Sequence, residues 1–396
     1  MSQPDFHKEG DLLVQHPTLL PLAGQPLTTA QRQADPDGHF RRAPSKFRSH
    51  IPSPQFPPEK DRYALLWHRG CPWAHRTVIV RAIKGLEDII QLIELDGMEF
   101  GPSKGWSFAQ TVDPLYGFKY LRQYYNKADP HYVGRVTVPT LWDKKNETIV
   151  NNESSDIIRM FYSAFDGLLP EHLREATKGD AGLYPPSLRP SIDGMNEWVY
   201  NDINNGVYKI GFAASQAAYD ANIGPLFAAL DRLEAHLEVT PGPYLFGAHI
   251  TEADIRLFPT IVRFDSAYHT LFKCNLKMIR HDYPRVDRWL RTLYWDESER
   301  TCGGAFKTST DFVLLAITDK AQGTLEGTNF APTYAELRRS LAFLTMPKDL
   351  ATNGPSDGRY PNVLSFHLAD VEPLGDAIIG RLSVDAETFT NSEIHK

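Results

Sequence analysis

Cysteine is scarce in this chain: three residues in 396, at positions 71, 274 and 302. So few argue against a disulfide framework and for a reducing compartment, and the chain is expected to be cytoplasmic. No run of 18 apolar residues occurs, and no apolar signal-type segment stands near Met1. Neither membrane spanning nor secretion is therefore expected. A basic excess is also missing. Lys and Arg number 42 against 49 Asp and Glu, a net charge of −7, which argues against a nucleic-acid partner. What the chain does have is 42% apolar residues, enough for two domains with sizeable cores.

The single most telling stretch is Cys71-Pro72-Trp73-Ala74. Before it, Tyr63 to His68 reads as a buried strand. After it, Trp73 to Lys84 lacks Gly and Pro and carries Val78, Ile79, Ala82 and Ile83 at helical spacing, with Gly85 as a stop. Pro72 suits the first helical position. Cys71 is then the N-cap, where the helix dipole favours a thiolate. His75, Arg76 and Arg81 are expected to add positive character. Ala74 stands where a redox Cys-x-x-Cys has its second cysteine, so Cys71 is a monothiol that needs an external thiol, and glutathione is the abundant candidate. A buried, inert cysteine is the plain alternative.

The remaining pattern orders the chain. Gln91–Leu95 reads as a second strand, and residues 97–134 as a long polar and aromatic loop containing Trp106. Val136 to Asp143 reads as a strand interrupted by Pro139, with Val138-Pro139 a place for a cis bond. Glu147–Val150 reads as its hairpin partner, and Asp156–Phe165 as a helix. Beyond about Ser191 strand signals vanish, and helical periodicity covers 192–204, 216–238, 251–264 and 284–293. Thr251 and Asp254 form a capping-box pattern, read as local folding. The division is an irregular N-terminal arm (1–59), an α/β domain of thioredoxin-like order (60–178), a Pro/Gly-rich linker (179–190), an all-helical domain (191–295) and an extension (296–396). In the arm, apolar clusters stand only at Leu12–Val14 and Leu19–Leu22, and Arg41, Arg42, Lys46 and Arg48 read as a solvated charge run, with a localisation patch as the second reading.

Several further stretches join the Cys71 segment: Gly105-Trp106, Val136 to Asp143, Asn151-Asn152-Glu153-Ser154-Ser155, Asn204-Asn205-Gly206-Val207-Tyr208, Arg263-Phe264-Asp265, Phe272-Lys273-Cys274-Asn275 and Tyr283-Pro284 leading to Trp289-Leu290. In combination they resemble the glutathione transferases, specifically the Xi class of S-glutathionyl-hydroquinone reductases, over roughly residues 60–295. The Cys71 tetrapeptide is similar to that of the omega class as well.

The resemblance implies a thioredoxin-like domain followed by the helical glutathione-transferase domain, with glutathione as co-substrate and no metal. It implies Cys71 as nucleophile and Tyr200 at the quinol oxygen. Val138 would offer its backbone to the cysteinyl unit of glutathione, as an edge strand does. Glu153 would meet the ammonium, Ser154 with its helix terminus the γ-glutamyl carboxylate, and Trp106 and Arg135 the glycyl end or the backbone of the tripeptide. Each has a bland alternative: helix capping for Glu153 and Ser154, loop packing for Trp106, surface charge for Arg135. Tyr208 and Tyr268 read as core or pocket wall, Cys274 as structural, and Cys302 as a free surface thiol.

The implied partners are glutathione and glutathionylated quinols, in a homodimer. The implied activity is deglutathionylation through a Cys71–glutathione disulfide. An omega-like thioltransferase, a conjugating enzyme of aromatic secondary metabolism and a non-catalytic binder of glutathione conjugates are the alternatives. After Trp295 the family's His-Tyr-Tyr element is absent. Residues 296–396, with apolar clusters at 312–315 and 337–344, are expected to hold short helices and disorder.

Overall fold

The computed structural model describes residues 33–99 and 104–311. The apolar clusters at 12–14, 19–22, 312–315 and 337–344 lie outside them. The run Tyr63–Trp67 forms β1, with every side chain buried. Its apolar neighbours on both faces explain the unbroken hydrophobic run. Helix α1 (Pro72–Ile83) follows, with Cys71 as N-cap and Pro72 at its first position. Gly85, at a φ of 61°, ends it in the left-handed region that favours glycine.

Four strands make one mixed sheet in the order β2 (Ile90–Glu94), β1, β5 (Thr140–Asp143), β6 (Thr148–Asn151). β1 runs parallel to β2 and antiparallel to β5, which pairs antiparallel with β6. Helix α3 (Ser154–Ser163) starts where β6 ends and packs beside α1. The chain thus folds as a thioredoxin-like half, and both α1 and α3 aim their N-termini at one site.

The expected loop 97–134 holds more order than its composition announces. Strands β3 (Gly97–Glu99) and β4 (Gly105–Ser107) pair as a hairpin, and α2 spans Leu121–Ala128. Leu121, Tyr124 and Tyr125 bury one face of α2 at helical spacing. The Gln123 carboxamide oxygen accepts from the Tyr120 N–H at 3.0 Å and so caps the start.

The helical half comprises α4 (Arg189–Trp198), a π-helical turn (Val199–Asn204), α5 (Gly206–Gly211), α6 (Gln216–Val239), α7 (Glu252–Arg263), a second π-helical turn (Phe264–Tyr268), α8 (Ile279–Asp282) and α9 (Pro284–Trp295). The Thr251–Asp254 capping box is formed. Asp254 accepts from the Thr251 N–H at 2.8 Å, and from the Leu245 N–H and Trp289 Nε1 on its other oxygen. Helix α7 packs on α1 and joins the halves. Among the described residues, no helix is long and apolar enough to cross a membrane.

Two regions depart from expectation. The arm from residue 33 is irregular in backbone, yet it is not simply a solvated charge run. Ser49 N–H donates to Val150 O, and Asn152 N–H to Phe47 O, so the arm covers the open edge of β6. Phe40, Ile51 and Phe56 are buried. The segment after Trp295 also packs. Helix α10 (Ala305–Thr308) rests on α1, and the Phe306 ring lies 4.7 Å from that of Phe258.

Candidate active site

Cys71 ends the turn that leaves β1, and its N–H donates to His68 O at 3.0 Å. The thiol is 8% exposed. It donates to the Val138 carbonyl oxygen at 3.5 Å, across the cis Val138-Pro139 peptide from β5. Val138 lies before β5, a central strand, rather than on a sheet edge. Tyr125 of α2 holds this turn: its hydroxyl donates to Thr137 O at 2.8 Å, and Asn152 Nδ2 donates to the Tyr125 oxygen at 3.0 Å.

The electrostatics at the thiol differ from the expected picture. Burial pushes the Cys71 thiol up, and this outweighs the backbone N–H groups of Ala74 and Trp73, which favour the thiolate. The cations that act on it are Arg263 and Arg42, not the three near it in sequence. Arg81 turns to Ile90 O and Glu87 O at the far end of α1. Arg76 is spent on Asn204 Oδ1 and Arg256 O in the helical half, and burial draws it down to about 9.

His75 carries no charge to spare. Burial, then repulsion from Arg263, drives its pKa well below the ordinary value. Arg263 is always a donor, so its Nη1 at 3.0 Å makes His75 Nδ1 an acceptor. Nε2 then holds the proton and donates to Ser309 Oγ at 2.8 Å, and the Ser309 hydroxyl donates to Ala305 O at 2.5 Å. Arg263 also donates to Arg69 O at 2.8 Å. One guanidinium from α7 thereby clamps the turn before Cys71 and the residue one helical turn after it.

A cavity of about 290 Å³ is lined by Val138, whose carbonyl oxygen accepts from the Cys71 thiol, and by Trp73, two residues after Cys71. Thr137, Val138, Glu153 and Ser154 form one stretch of its wall, and Trp73 and Tyr200 line it as well. The Trp73 and Tyr200 rings meet edge-on at 5.8 Å. Glu153 is the N-cap of α3, accepting from Ser155 N–H at 3.2 Å and Ser155 Oγ at 3.1 Å, while Ser45 Oγ donates to its other oxygen at 3.1 Å. A carboxylate has about four acceptor sites, so Glu153 caps the helix and still has room for an ammonium. Ser154 is buried at the helix start, with Arg76 Nη1 at a long 3.5 Å from its hydroxyl.

Arg135 lies at the exposed rim, where partial desolvation and then repulsion from Arg42 draw its pKa down. Trp106 does not line the cavity. It pairs with Met98 in the β3–β4 hairpin and packs at 4.7 Å on His68, three residues before Cys71. Cys274 is buried, and Cys302 is an exposed thiol that donates to Ile83 O.

The arm supplies wall residues that sequence reasoning missed. Arg42, Ser45 and Lys46 all line the cavity. Arg41 and Arg48 are exposed and paired with Asp35, Asp37 and Asp156. Arg42 instead turns inward, 4.5 Å over the Trp73 ring and 4.8 Å over Tyr208, with Nε donating to Asn205 Oδ1 at 2.8 Å. The signal was the pair of aromatics, Phe40 and Phe47, set among these charges.

Comparison with known proteins shows the family. The glutathione S-transferase N-terminal domain matches residues 70–164 and the C-terminal domain residues 216–292. The chain is 50% identical over 283 residues to the glutathione S-transferase omega-like 2 of Schizosaccharomyces pombe, covering 70% of this chain and 86% of that one. It is 48% identical over 271 residues to the glutathionyl-hydroquinone reductase YqjG of Escherichia coli, covering 65% and 79%. The crystal structure of the Xi glutathione S-transferase from Phanerochaete chrysosporium superposes with a TM-score of 0.65 at 46% identity, covering 75% of this chain and 95% of that one. The chain is an enzyme of the glutathione transferase family and belongs to its Xi class.

Proposed function

We propose that this enzyme reduces glutathionyl-hydroquinones through a Cys71–glutathione disulfide. The observation that carries the reading is a lone thiol at a helix N-terminus, bonded to Val138 and set beside a cavity that Glu153, Ser154 and Tyr200 share. In the first step the Cys71 thiolate attacks the sulfur of the conjugate. The S–S bond to glutathione forms, the carbon–sulfur bond to the ring breaks, and the ring carbon ends with a proton. The hydroquinone leaves. A second glutathione thiolate then attacks the disulfide, releases glutathione disulfide and restores Cys71. The absence of a second cysteine at Ala74 supports this two-glutathione cycle.

In this reading Glu153 meets the ammonium of glutathione, and Ser154 with the α3 N-terminus meets the γ-glutamyl carboxylate. Val138 offers its backbone to the cysteinyl unit. Arg135 meets the glycyl carboxylate, and Trp106 supports that end through His68. Tyr200 donates to the quinol oxygen. The similarity to a protein named glutathionyl-hydroquinone reductase supports the choice of quinol conjugates. A cytoplasmic homodimer fits the free cysteines and the family resemblance. Turnover of glutathionyl-menadiol by wild type and Cys71→Ala tests the reading. Loss of activity in the variant is expected, and equal rates would sink it.

A further inference from the structure

We infer that Arg42 is a catalytic residue of the aromatic half of the site, where it holds the negative charge that develops on the quinol oxygen. This rests on the reductase reading above.

The charge balance of the cavity points to it. Arg42, Lys46 and Arg135 line the cavity against one carboxylate, Glu153. Glutathione brings two carboxylates and one ammonium. Glu153 answers the ammonium, the α3 terminus one carboxylate and the rim cations the other. Arg42 is left over, and it stands on the aromatic side.

Its surroundings fit that task. Nε is fixed by Asn205, and among the described residues neither terminal nitrogen of Arg42 has a hydrogen-bond partner and no carboxylate pairs with it. The guanidinium plane is held by the faces of Trp73 and Tyr208, as weakly hydrated guanidinium groups allow. Trp73 in turn touches Tyr200. A planar ring among these residues would bring its oxygen to a rigid, unneutralised fork of donors.

The chemistry requires such a group. Attack on sulfur cannot expel a bare aryl carbanion. The ring must first take a proton at the carbon bearing sulfur, giving its keto tautomer. When the thiolate then attacks sulfur, the carbon–sulfur electron pair moves into the ring, and the ketone oxygen becomes a phenolate. That phenolate takes a proton from water after release. Charge therefore appears on the oxygen during the step, and donors fixed in advance stabilise it most.

The test is a series of glutathionyl-hydroquinones whose phenols span a range of acidity, assayed with wild type, Arg42→Gln and Arg42→Lys. For the least acidic quinol, Arg42→Gln should lower kcat by on the order of 10²-fold. The loss should shrink steadily as the quinol becomes more acidic, and Arg42→Lys should fall between the two. A loss uniform across the series, or one confined to KM for glutathione, would overturn the proposal. So would a Lys variant as impaired as Gln. Wild-type turnover is the internal control: if it is absent, the reductase reading has failed instead.

Discussion

The wall of Thr137, Val138, Glu153 and Ser154 comes from one short span of chain, where β5 begins and β6 passes into α3. The second wall, of Arg42, Trp73 and Tyr200, is assembled from the arm, α1 and a π-helical turn more than a hundred residues away. The first wall uses backbone groups, a helix terminus and the Glu153 carboxylate, all supplied within that short span. The second uses side chains that tertiary packing aims. In the proposed reading the glutathione half is thus built into the thioredoxin-like topology, while the second substrate meets side chains gathered from distant parts of the chain.

The largest expected effect concerns Cys71, whose thiol donates to Val138 of the first wall. Burial holds the thiol above its ordinary pKa despite Arg42 and Arg263. Only the thiolate reacts. Alkylation of Cys71 by iodoacetamide should therefore climb about tenfold per pH unit, roughly 100-fold from about pH 6.5 to about 8.5, without levelling below the usual thiol value of about 8.5. A plateau near pH 7 would show that the nearby cations win over burial.

Next comes the glutathione wall. Glu153→Ala removes a charge-assisted contact worth about 2 kcal/mol, which is about thirtyfold in KM for glutathione. It also loses the N-cap, at about 1 kcal/mol of stability. Steady-state kinetics should show kcat largely kept. The smallest effect belongs to the aromatic wall: Tyr200→Phe should lower kcat for a glutathionyl-hydroquinone about tenfold, the worth of one hydrogen bond of about 1.4 kcal/mol, with KM for glutathione unmoved. If both variants altered the same constant, the two walls would not be separate.

The same contrast explains what was legible in the sequence. The β1–Cys71–α1 joint was readable because Pro72 and Gly85 mark both ends of a periodic run. The Val138-Pro139 turn and the Thr251–Asp254 box were readable because their chemistry is local. Helix α2 was not. Two of its three buried residues are Tyr124 and Tyr125, and tyrosines in a polar stretch look like loop. His75 read as a cation because burial, which neutralises it, arises only when α7 and the Ser309 segment close over α1. Arg42 looked like Arg41 and Arg48 in the chain, and only the packed aromatics beneath it separate the three.

The central claim is a covalent one, and a mass spectrum reads it most directly. Enzyme mixed with glutathionyl-menadiol, without added glutathione, and quenched once the first half-reaction is complete should carry one glutathionyl group on the peptide containing Cys71, with menadiol released in equal amount. Release of menadiol from enzyme that carries no glutathionyl group on Cys71, or carries it on Cys274 or Cys302, would contradict the account.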